Sequence, residues 1–176
     1  MVAMKKFLII GNVNAISYKE IFPLIKENKL WLGVSITSGD MVFNVPDDYP
    51  LEAACCGIDS NGKPFIKVKG VRWYTNLDHK KRPKPLELTQ TYSPDRYPKY
   101  DNYDAIEVGK TCDIPMDYED VMGVPITFMD KYCSEQFEIL DINPHFFFSD
   151  VKIKRLTLHN VGRKDPYARI LIRFKK

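Results

Sequence analysis

One basic and aromatic stretch holds the side chains best suited to chemistry. It runs from Val71 to Arg82 and reads VRWYTNLDHKKR. Arginine and lysine neutralise phosphates, while tryptophan, tyrosine and asparagine stack on bases or hydrogen-bond to them, so the stretch predicts a nucleic-acid contact. The alternative is a strand that ends in a solvated turn, and we expect Trp73 in the core in either case. The predicted contact residues are Arg72, Tyr74, Asn76, His79, Lys80, Lys81 and Arg82.

No other motif indicates an active site. The sequence has no P-loop, no GxGxxG after a strand, no G-x-S-x-G and no HExxH. The histidines lie far apart and the cysteines form no CxxC pair, so we predict free thiols and no metal site. Two acidic segments are read as solvated turns, with a metal role as the minor alternative. These residues are His79, His145 and His159, Cys55, Cys56, Cys112 and Cys133, and the segments 47–48 and 117–120.

The opening of the chain, residues 5–33, predicts a strand, a helix and a second strand. Phe7 to Ile10 form a short apolar run, which is typical of a strand covered on both faces in a parallel sheet; a buried helix segment is the alternative. Ser17 and Glu20 have the spacing of a capping box and predict the helix start. Pro23 then falls inside the helix, where it should kink or delay the regular part.

Strand, helix and strand in this order form half of a doubly wound α/β unit. Such units place ligands at the carboxyl ends of their strands. Asn12 and Asn14 follow the first strand directly, so we predict that they lie at an active-site edge. The alternative is that asparagine serves there only because it tolerates the left-handed backbone of a turn.

Two hairpins and a long connection are predicted further along the chain. Residues 53–58 and 65–71 flank an Asn-Gly turn, which is a strong hairpin signal, with Gly70 marking a bulge. Residues 92–103 form a connection rich in tyrosine and proline, too long for an ordinary loop and too aromatic for a disordered one. The tail predicts a second hairpin from residues 151–159 and 167–174.

Charge is distributed in blocks along a chain whose net charge is +3. Residues 61–84 contain eight basic and one acidic residue, residues 94–150 thirteen acidic and four basic, and residues 152–176 nine basic and one acidic. Such blocks can create a positive face that binds phosphates. An equal alternative is that the acidic and basic blocks neutralise each other.

Length and hydropathy limit the class of protein. A chain of 176 residues is sufficient for one domain with a full core. It contains no apolar run near the ~18 residues that cross a bilayer and no signal peptide, so we expect a cytoplasmic protein without a membrane partner.

Several segments together resemble the EcoRI-type adenine-specific DNA methyltransferases. The resemblance extends in order over nearly the whole chain. It implies an S-adenosylmethionine-dependent enzyme of a restriction-modification system that methylates the exocyclic amine of adenine after swinging the base out of the duplex. The segments are FLIIGNVNAISYKEIFPLIKENKLWLG, VPDDY, GVRWYTNLDHKKR, YPKYDNYDAIEV, MGVPITFMDKYCSEQFEIL and YARILIR.

The departure from this family is informative. The family carries a glycine-rich cofactor loop and an NPPF motif before the part that corresponds to Phe7, and neither occurs in this sequence. The resemblance therefore implies a carboxyl-terminal half, inactive alone, that binds no cofactor tightly. It transfers no catalytic or cofactor-binding residue to this chain.

The expected fold is a single α/β domain. It comprises a partial Rossmann-like methyltransferase sheet in residues 5–76, a loop-rich target-recognition region in 77–150 and a carboxyl-terminal β-hairpin in 151–176. Half of the sheet would then be absent and an apolar edge exposed. We expect DNA as a partner, together with a second copy or an amino-terminal methyltransferase half. A non-catalytic DNA-binding remnant and a plain protein-interaction domain are the alternatives.

Overall fold

Three β-sheets joined by long connections and a few short helices make up the fold. It is an α/β arrangement of antiparallel and mixed sheets, and the parallel pair among the described strands is Ile106–Glu107 with Met122–Pro125. No described helix is long and apolar enough to cross a membrane. The structure is a computed structural model that describes residues 5–34, 40–52, 55–79, 84–143, 155–162, 166 and 168–175.

The amino-side sheet contains three strands in the order β1-β6-β2. Both outer strands pair antiparallel with β6, so β1 and β2 run parallel to each other on either side of it. The connection between them contains α1, which gives the strand-helix-strand order expected of the opening. The elements are β1 (Leu8–Asn12), α1 (Phe22–Lys26), β2 (Trp31–Leu32) and β6 (Val71–Thr75).

The first strand is correctly predicted as a strand, but its predicted burial is wrong. Leu8 and Ile9 are each 54% exposed, although they point to opposite faces of the sheet. Among the described residues β1 has a strand partner on one side, β6. It is therefore an edge strand with apolar side chains open to solvent on both faces.

The helix begins later than the capping box indicates. Val13–Ser17 form a 3-10 helix, and the Ser17 hydroxyl donates to the Asn14 carbonyl at 2.8 Å. The α-helix starts at Phe22 without a side-chain cap, so the prediction from Ser17 and Glu20 is wrong. Pro23 thereby falls in the first helical turn, where a missing N–H breaks no helical hydrogen bond.

The second sheet is formed within residues 40–69, and we call this segment the arm. The predicted hairpin is confirmed: β4 and β5 pair antiparallel, and β3 pairs on the other edge of β5. The Asp59 carboxylate accepts the N–H groups of Asn61 and Lys63, each at 2.8 Å, and thereby holds the turn. The strands are β3 (Asp40–Asn44), β4 (Cys56–Ile58) and β5 (Pro64–Lys69), and residues 53 and 54 of the predicted hairpin lie outside the described residues.

The carboxyl-side sheet has four strands in the order β7-β8-β10-β9. The last strand, β10, lies between β8 and β9 instead of forming a hairpin with the segment before it. Residues 155–158 are not a strand, and 151–154 lie outside the described residues. Ile170, Leu171 and Ile172 are consecutive and all fully buried, which requires a central position covered on both faces. The strands are β7 (Ile106–Glu107), β8 (Met122–Pro125), β9 (Phe137–Asn143) and β10 (Arg169–Phe174).

The tyrosine-rich connection is built into the core. Tyr97 and Tyr100 are buried, and the Tyr92 ring lies 4.7 Å from that of Tyr118. The Tyr97 hydroxyl donates to the Asp113 carbonyl at 2.7 Å. Burial raises the pKa of Tyr97, so the phenol stays neutral and keeps this bond.

Candidate nucleic-acid interface

Strand β6 carries the first of the predicted contact residues, Arg72, into the interior. Arg72 is 6% exposed, and its Nε donates to Asp130 Oδ1 at 3.1 Å. Its Nη1 also donates to the Val71 carbonyl at 3.1 Å. The guanidinium of Arg72 is thus buried and neutralised by a carboxylate of the same chain, and its predicted DNA contact stays a prediction.

Tyr74 and Asn76 also form hydrogen bonds within the fold. The buried Tyr74 hydroxyl donates to the Asn12 carbonyl at 2.8 Å, and burial raises its pKa. The Asn76 side chain accepts from the Phe7 N–H and donates to the Lys5 carbonyl, both at 2.9 Å. These two hydrogen bonds continue the antiparallel pairing of β1 with β6 past the end of both strands. The predicted DNA contacts of both residues stay predictions.

Trp73 and His79 lie at the margin of the sheet. Trp73 was expected in the core but is only half-buried, on the open face of the amino-side sheet. His79 Nε2 lies 3.2 Å from the Leu32 carbonyl, and its buried Nδ1 has no partner among the described residues. Lys80, Lys81 and Arg82 lie outside the described residues, so their predicted DNA contact stays a prediction.

A groove runs between the end of α1 and the 3-10 helix Ile126–Lys131. Its first part has a volume of about 520 Å³ and is lined by His79 and Lys84, which flank the predicted basic segment. The second part, about 600 Å³, shares Asn28, Tyr132 and Ser134 with the first. The two parts therefore adjoin, and we call them together the basic groove.

The basic groove contains more cationic than anionic charge. Its lysines form no ion pair within the described part of the chain, and neither does the lining carboxylate Glu87. The other lining carboxylates pair with Lys29, Arg72 or Arg173. Trp31 and Tyr132 place aromatic rings on the same walls. Unpaired ammonium groups beside aromatic rings suit a phosphate backbone with its bases. The lysines are Lys26, Lys84, Lys131 and Lys175.

Asn12 and Asn14 are placed at the carboxyl end of β1, as predicted, and both are exposed. The Asn12 side chain accepts the Asn14 N–H at 2.8 Å and so caps the 3-10 helix. Its φ is −70°, so the left-handed alternative does not apply. Whether this edge is an active-site edge remains a prediction.

One buried polar cluster was missed from the sequence. The Tyr100 hydroxyl donates to Glu107, and Arg169 Nε donates to Glu107 Oε1 at 3.0 Å. Gly123 permits this arrangement, because a Cβ there would overlap the Tyr100 hydroxyl. Burial raises the pKa of Tyr100, and the negative charge of Glu107 raises it further. A sequence pattern that indicates this cluster is a charged residue inside an apolar run. Glu107 lies in AIEV and Arg169 in ARILIR.

The protein is thus an α/β arrangement with a groove lined by basic and aromatic side chains. A family model described as "Adenine-specific methyltransferase EcoRI" matches residues 1–175. The chain therefore belongs to the EcoRI-type adenine-specific methyltransferase family, as its sequence resemblance predicted.

Three curated relatives agree with this assignment. The chain is 52% identical to the Type II methyltransferase M.EcoRI of Escherichia coli over 98% of its own length and 51% of that protein's. It is 38% identical to M.MgeORF184P of Mycoplasma genitalium and 35% identical to M.MpnI of Mycoplasma pneumoniae, each over 96% of this chain. It spans 57% and 56% of those two proteins, so it covers about half the length of its relatives. No solved structure matches the chain.

Proposed function

We propose that this chain is the carboxyl-terminal part of an S-adenosylmethionine-dependent adenine-N6 DNA methyltransferase of a restriction-modification system. The family match over residues 1–175 carries the proposal. The motifs expected for the cofactor and the flipped adenine do not occur in the sequence. Methyl transfer therefore requires a methyltransferase segment that supplies the glycine-rich loop and NPPF, and the chain alone is inactive. A cytoplasmic location is part of the proposal, because the substrate is cellular DNA.

The amino-side sheet supports a partial Rossmann-like core in residues 5–76. Its outer strands, β1 and β2, run parallel to each other on either side of the antiparallel β6, and α1 lies in the connection between them, as in the strand-helix-strand units of such cores. In the part of the chain that the structure describes, no strand lies beyond β1, and Leu8, Ile9 and Ile10 are exposed there. An edge strand that is apolar on both faces suits an inner position in a larger sheet. We propose that the missing methyltransferase segment pairs with β1, with residues 77–150 as the target-recognition region.

The described residues do not by themselves fit S-adenosylmethionine. At the predicted active-site edge the Asn12 side chain is used as a cap, and its carbonyl accepts the Tyr74 hydroxyl. We therefore assign no cofactor contact and no reaction step to this chain. When bound by the complete enzyme, the cofactor supplies the methyl group that adenine N6 accepts. This chain contributes DNA binding and the later strands of the core.

The proposed DNA contact is the segment His79 to Arg82 together with the adjoining basic groove. Lys84 and Lys131 continue the charge of this segment along the groove wall. Contacts of this kind release counterions, so the affinity for DNA should fall steeply with salt. Charge reversal at Lys80, Lys81 and Arg82 should weaken binding and flatten that dependence. An unchanged affinity would place the DNA elsewhere on the molecule.

A complementation assay tests the methyltransferase assignment. The chain is mixed with a segment that carries the cofactor loop and NPPF, and transfer of labelled methyl groups to duplex DNA is measured. We expect transfer from the mixture and none from either component. Methyl transfer by the chain alone would contradict the need for a second segment. A stable mixed complex without any methyl transfer would contradict the methyltransferase function. A variant in the NPPF motif of the added segment serves as the inactive control.

The alternative function is a non-catalytic remnant that binds DNA or another protein. The observation that favours it is the internal pairing of opposite charges, because Arg72, Arg96 and Arg169 all bind carboxylates of the acidic block. A second copy of the chain would then cover β1 in place of a methyltransferase segment. Light scattering after size-exclusion chromatography distinguishes these cases. A monodisperse monomer would argue strongly against the homodimer.

A further inference from the structure

We propose that the basic groove binds an unpaired stretch of one DNA strand and not the intact duplex. This inference rests on the proposed function, which places DNA at the groove, and deepens it by naming the form of DNA that the groove takes. The concave shape of the groove, the position of its charges and the side chains where its two parts meet support a single strand.

The basic groove is concave, and this shape suits a strand better than a duplex. The base pairs of a duplex are read by a projecting element, such as an α-helix or a β-ribbon, that enters a groove of the DNA. A positively charged groove with aromatic side chains follows a single strand instead. Its two parts, of about 520 and 600 Å³, each have the size of a ligand cavity, about 300–1,000 Å³. Each part therefore takes individual nucleotides and not a double helix.

Ammonium groups line both parts of the groove. Lys84 and Lys131 line the first part, and Lys26 and Lys175 line the second. None of them forms an ion pair within the described part of the chain. A strand that passes through both parts therefore meets positive charge on either side of their junction. This distribution suits a backbone that carries a phosphate at every nucleotide.

Two of these ammonium groups are held in place by backbone carbonyls. Lys26 Nζ donates to the Leu140 carbonyl at 2.7 Å, and Lys175 Nζ donates to the Ser134 carbonyl at 3.2 Å. A carbonyl accepts a hydrogen bond without removing the charge of the ammonium group. Both charges are therefore already positioned before a phosphate binds, which lowers the entropic cost of binding.

The carboxylates of the groove do not cancel this charge. Of the four that line it, three each pair with a cation of the chain, so these pairs are neutral. The fourth, Glu87, stands against four lysines that are unpaired among the described residues. The groove is therefore net positive within the described part of the chain, and so complementary to phosphates. The pairs are Glu27–Lys29 at 2.5 Å, Asp130–Arg72 at 3.1 Å and Glu138–Arg173 at 2.8 Å.

The junction of the two parts carries side chains that contact bases. It consists of Asn28, Tyr132 and Ser134, which line both parts. The Tyr132 ring packs on the buried Phe128 ring, with 5.9 Å between the ring centroids. Bases of any sequence stack on such a ring. The amide of Asn28 and the hydroxyl of Ser134 both donate and accept hydrogen bonds, as base edges do once their complementary strand is absent.

The backbone of Asn28 is fixed by the end of α1. Its φ is 56°, a left-handed conformation that asparagine tolerates. The two residues that follow, Lys29 and Leu30, donate their N–H groups to the Leu24 carbonyl at 2.8 and 3.2 Å. Asn28 therefore stands on a closed turn, which keeps its amide at the junction.

The proposed reaction itself produces an unpaired strand. A base that is swung out of the duplex loses its stacking and its pairing, at a cost in free energy. Binding of the neighbouring nucleotides in the basic groove offsets part of this cost. The groove therefore stabilises the opened DNA, whereas the closed duplex gains nothing from it.

The first test compares single-stranded and duplex DNA by fluorescence anisotropy over a range of salt concentrations. The full chain is titrated against a labelled oligonucleotide of mixed sequence, about 16 nucleotides long, alone or paired with its complement. In Lys84→Gln with Lys131→Gln, the slope of log affinity against log salt for the single strand should shrink by about 1.4, because each phosphate contact contributes about 0.7. The duplex slope should change by less than about 0.5. Lys63→Gln with Lys69→Gln, exposed lysines that do not line the groove, is the matched control.

The second test removes the stacking ring. Tyr132→Leu keeps an apolar side chain against Phe128, so the single-strand affinity should fall about fivefold or more while the salt slope stays unchanged. Tyr132→Phe keeps the ring and should restore most of the affinity. A purely structural role of Tyr132 would lower the melting temperature and leave the DNA affinity of the folded protein unchanged. Thermal unfolding is therefore recorded for every variant.

Several outcomes would overturn the inference. These are an unchanged single-strand slope in the double glutamine variant of the groove, equal changes in the single-strand and duplex slopes, and absence of single-strand binding by the unaltered chain. Full single-strand affinity of Tyr132→Leu would remove the bases from the junction. Methyl transfer is measured separately in the complementation assay. Transfer without single-strand binding would reject the groove inference alone, and single-strand binding without transfer would reject the methyltransferase function alone.

Discussion

The carboxyl-side and amino-side sheets contain equally apolar strands but bury them very differently. Ile170, Leu171 and Ile172 of β10 are completely buried between two neighbouring strands. Leu8 and Ile9 of β1 are more than half exposed on an open edge. Within the described residues, the carboxyl-side sheet therefore encloses its apolar strand, whereas the amino-side sheet leaves its apolar strand at an open edge.

The largest effect is expected where the carboxyl-side sheet buries charge. Glu107→Ala leaves the Arg169 guanidinium buried without its carboxylate, which should cost about 3–5 kcal/mol in the free energy of unfolding. Denaturant unfolding measures this loss. The double variant with Arg169→Met should recover much of it, because no uncompensated charge remains. A double variant as unstable as the single one would show that the pair is not the cause.

The next effect tests the contrast between the two sheets directly. Ile170→Ala opens a cavity in a fully buried position and should cost about 2–5 kcal/mol. Leu8→Ala, at the open edge, should cost less than about 1 kcal/mol. Both are measured by the same denaturant titration. Equal losses would mean that β1 is covered within the chain in solution, and the contrast would fail.

A charge on the open edge should affect assembly more than folding. Ile9→Lys should change the stability of the chain by no more than about 0.5 kcal/mol, because the side chain is exposed. Lysine on an edge strand opposes pairing, so methyl transfer in the mixed assay should fall about tenfold or more. Met116→Lys, at a site of similar exposure, is the control. Undiminished transfer by the Ile9 variant would locate the interface away from β1.

The smallest effect concerns the turn of the arm and its response to pH. The folded-state pKa of Asp59 is lowered mainly by the hydrogen bond from the Lys63 N–H. Its contribution is therefore present above the unfolded carboxyl pKa and is lost as the pH falls through the folded value. Asp59→Ala should lower the melting temperature slightly at pH 7 and not at strongly acidic pH. Amide exchange of Lys63 reports the same loss, and a pH-independent effect would contradict this account.

Elements with local causes were predicted well from the sequence. The Asn-Gly turn gives the β4–β5 hairpin because Gly62 adopts a positive φ, which is a property of two or three neighbouring residues. The strand β1 follows from a short apolar run, and the α/β class follows from the strand, helix and strand order of the opening. The family also follows from the sequence, because the resemblance extends over nearly all of it.

The features that were not predicted from the sequence depend on contacts between residues that are distant in the chain. Arg72 looked like a phosphate ligand because its partner, Asp130, follows 58 residues later. The predicted tail hairpin is wrong because the buried apolar residues of β10 require a central position in the sheet. The strands β8 and β9 flank β10 there. The exposure of β1 likewise depends on which strands lie beside it.

The sequence by itself therefore determined the family, the local turns and the charge blocks, since these depend on residue identity and near neighbours. The tertiary structure decided which arginines are neutralised, which lysines remain unpaired in the basic groove and which apolar strand stays open. The physical reason is that burial and ion pairing depend on which distant segments meet. That information is absent from any short window of the chain.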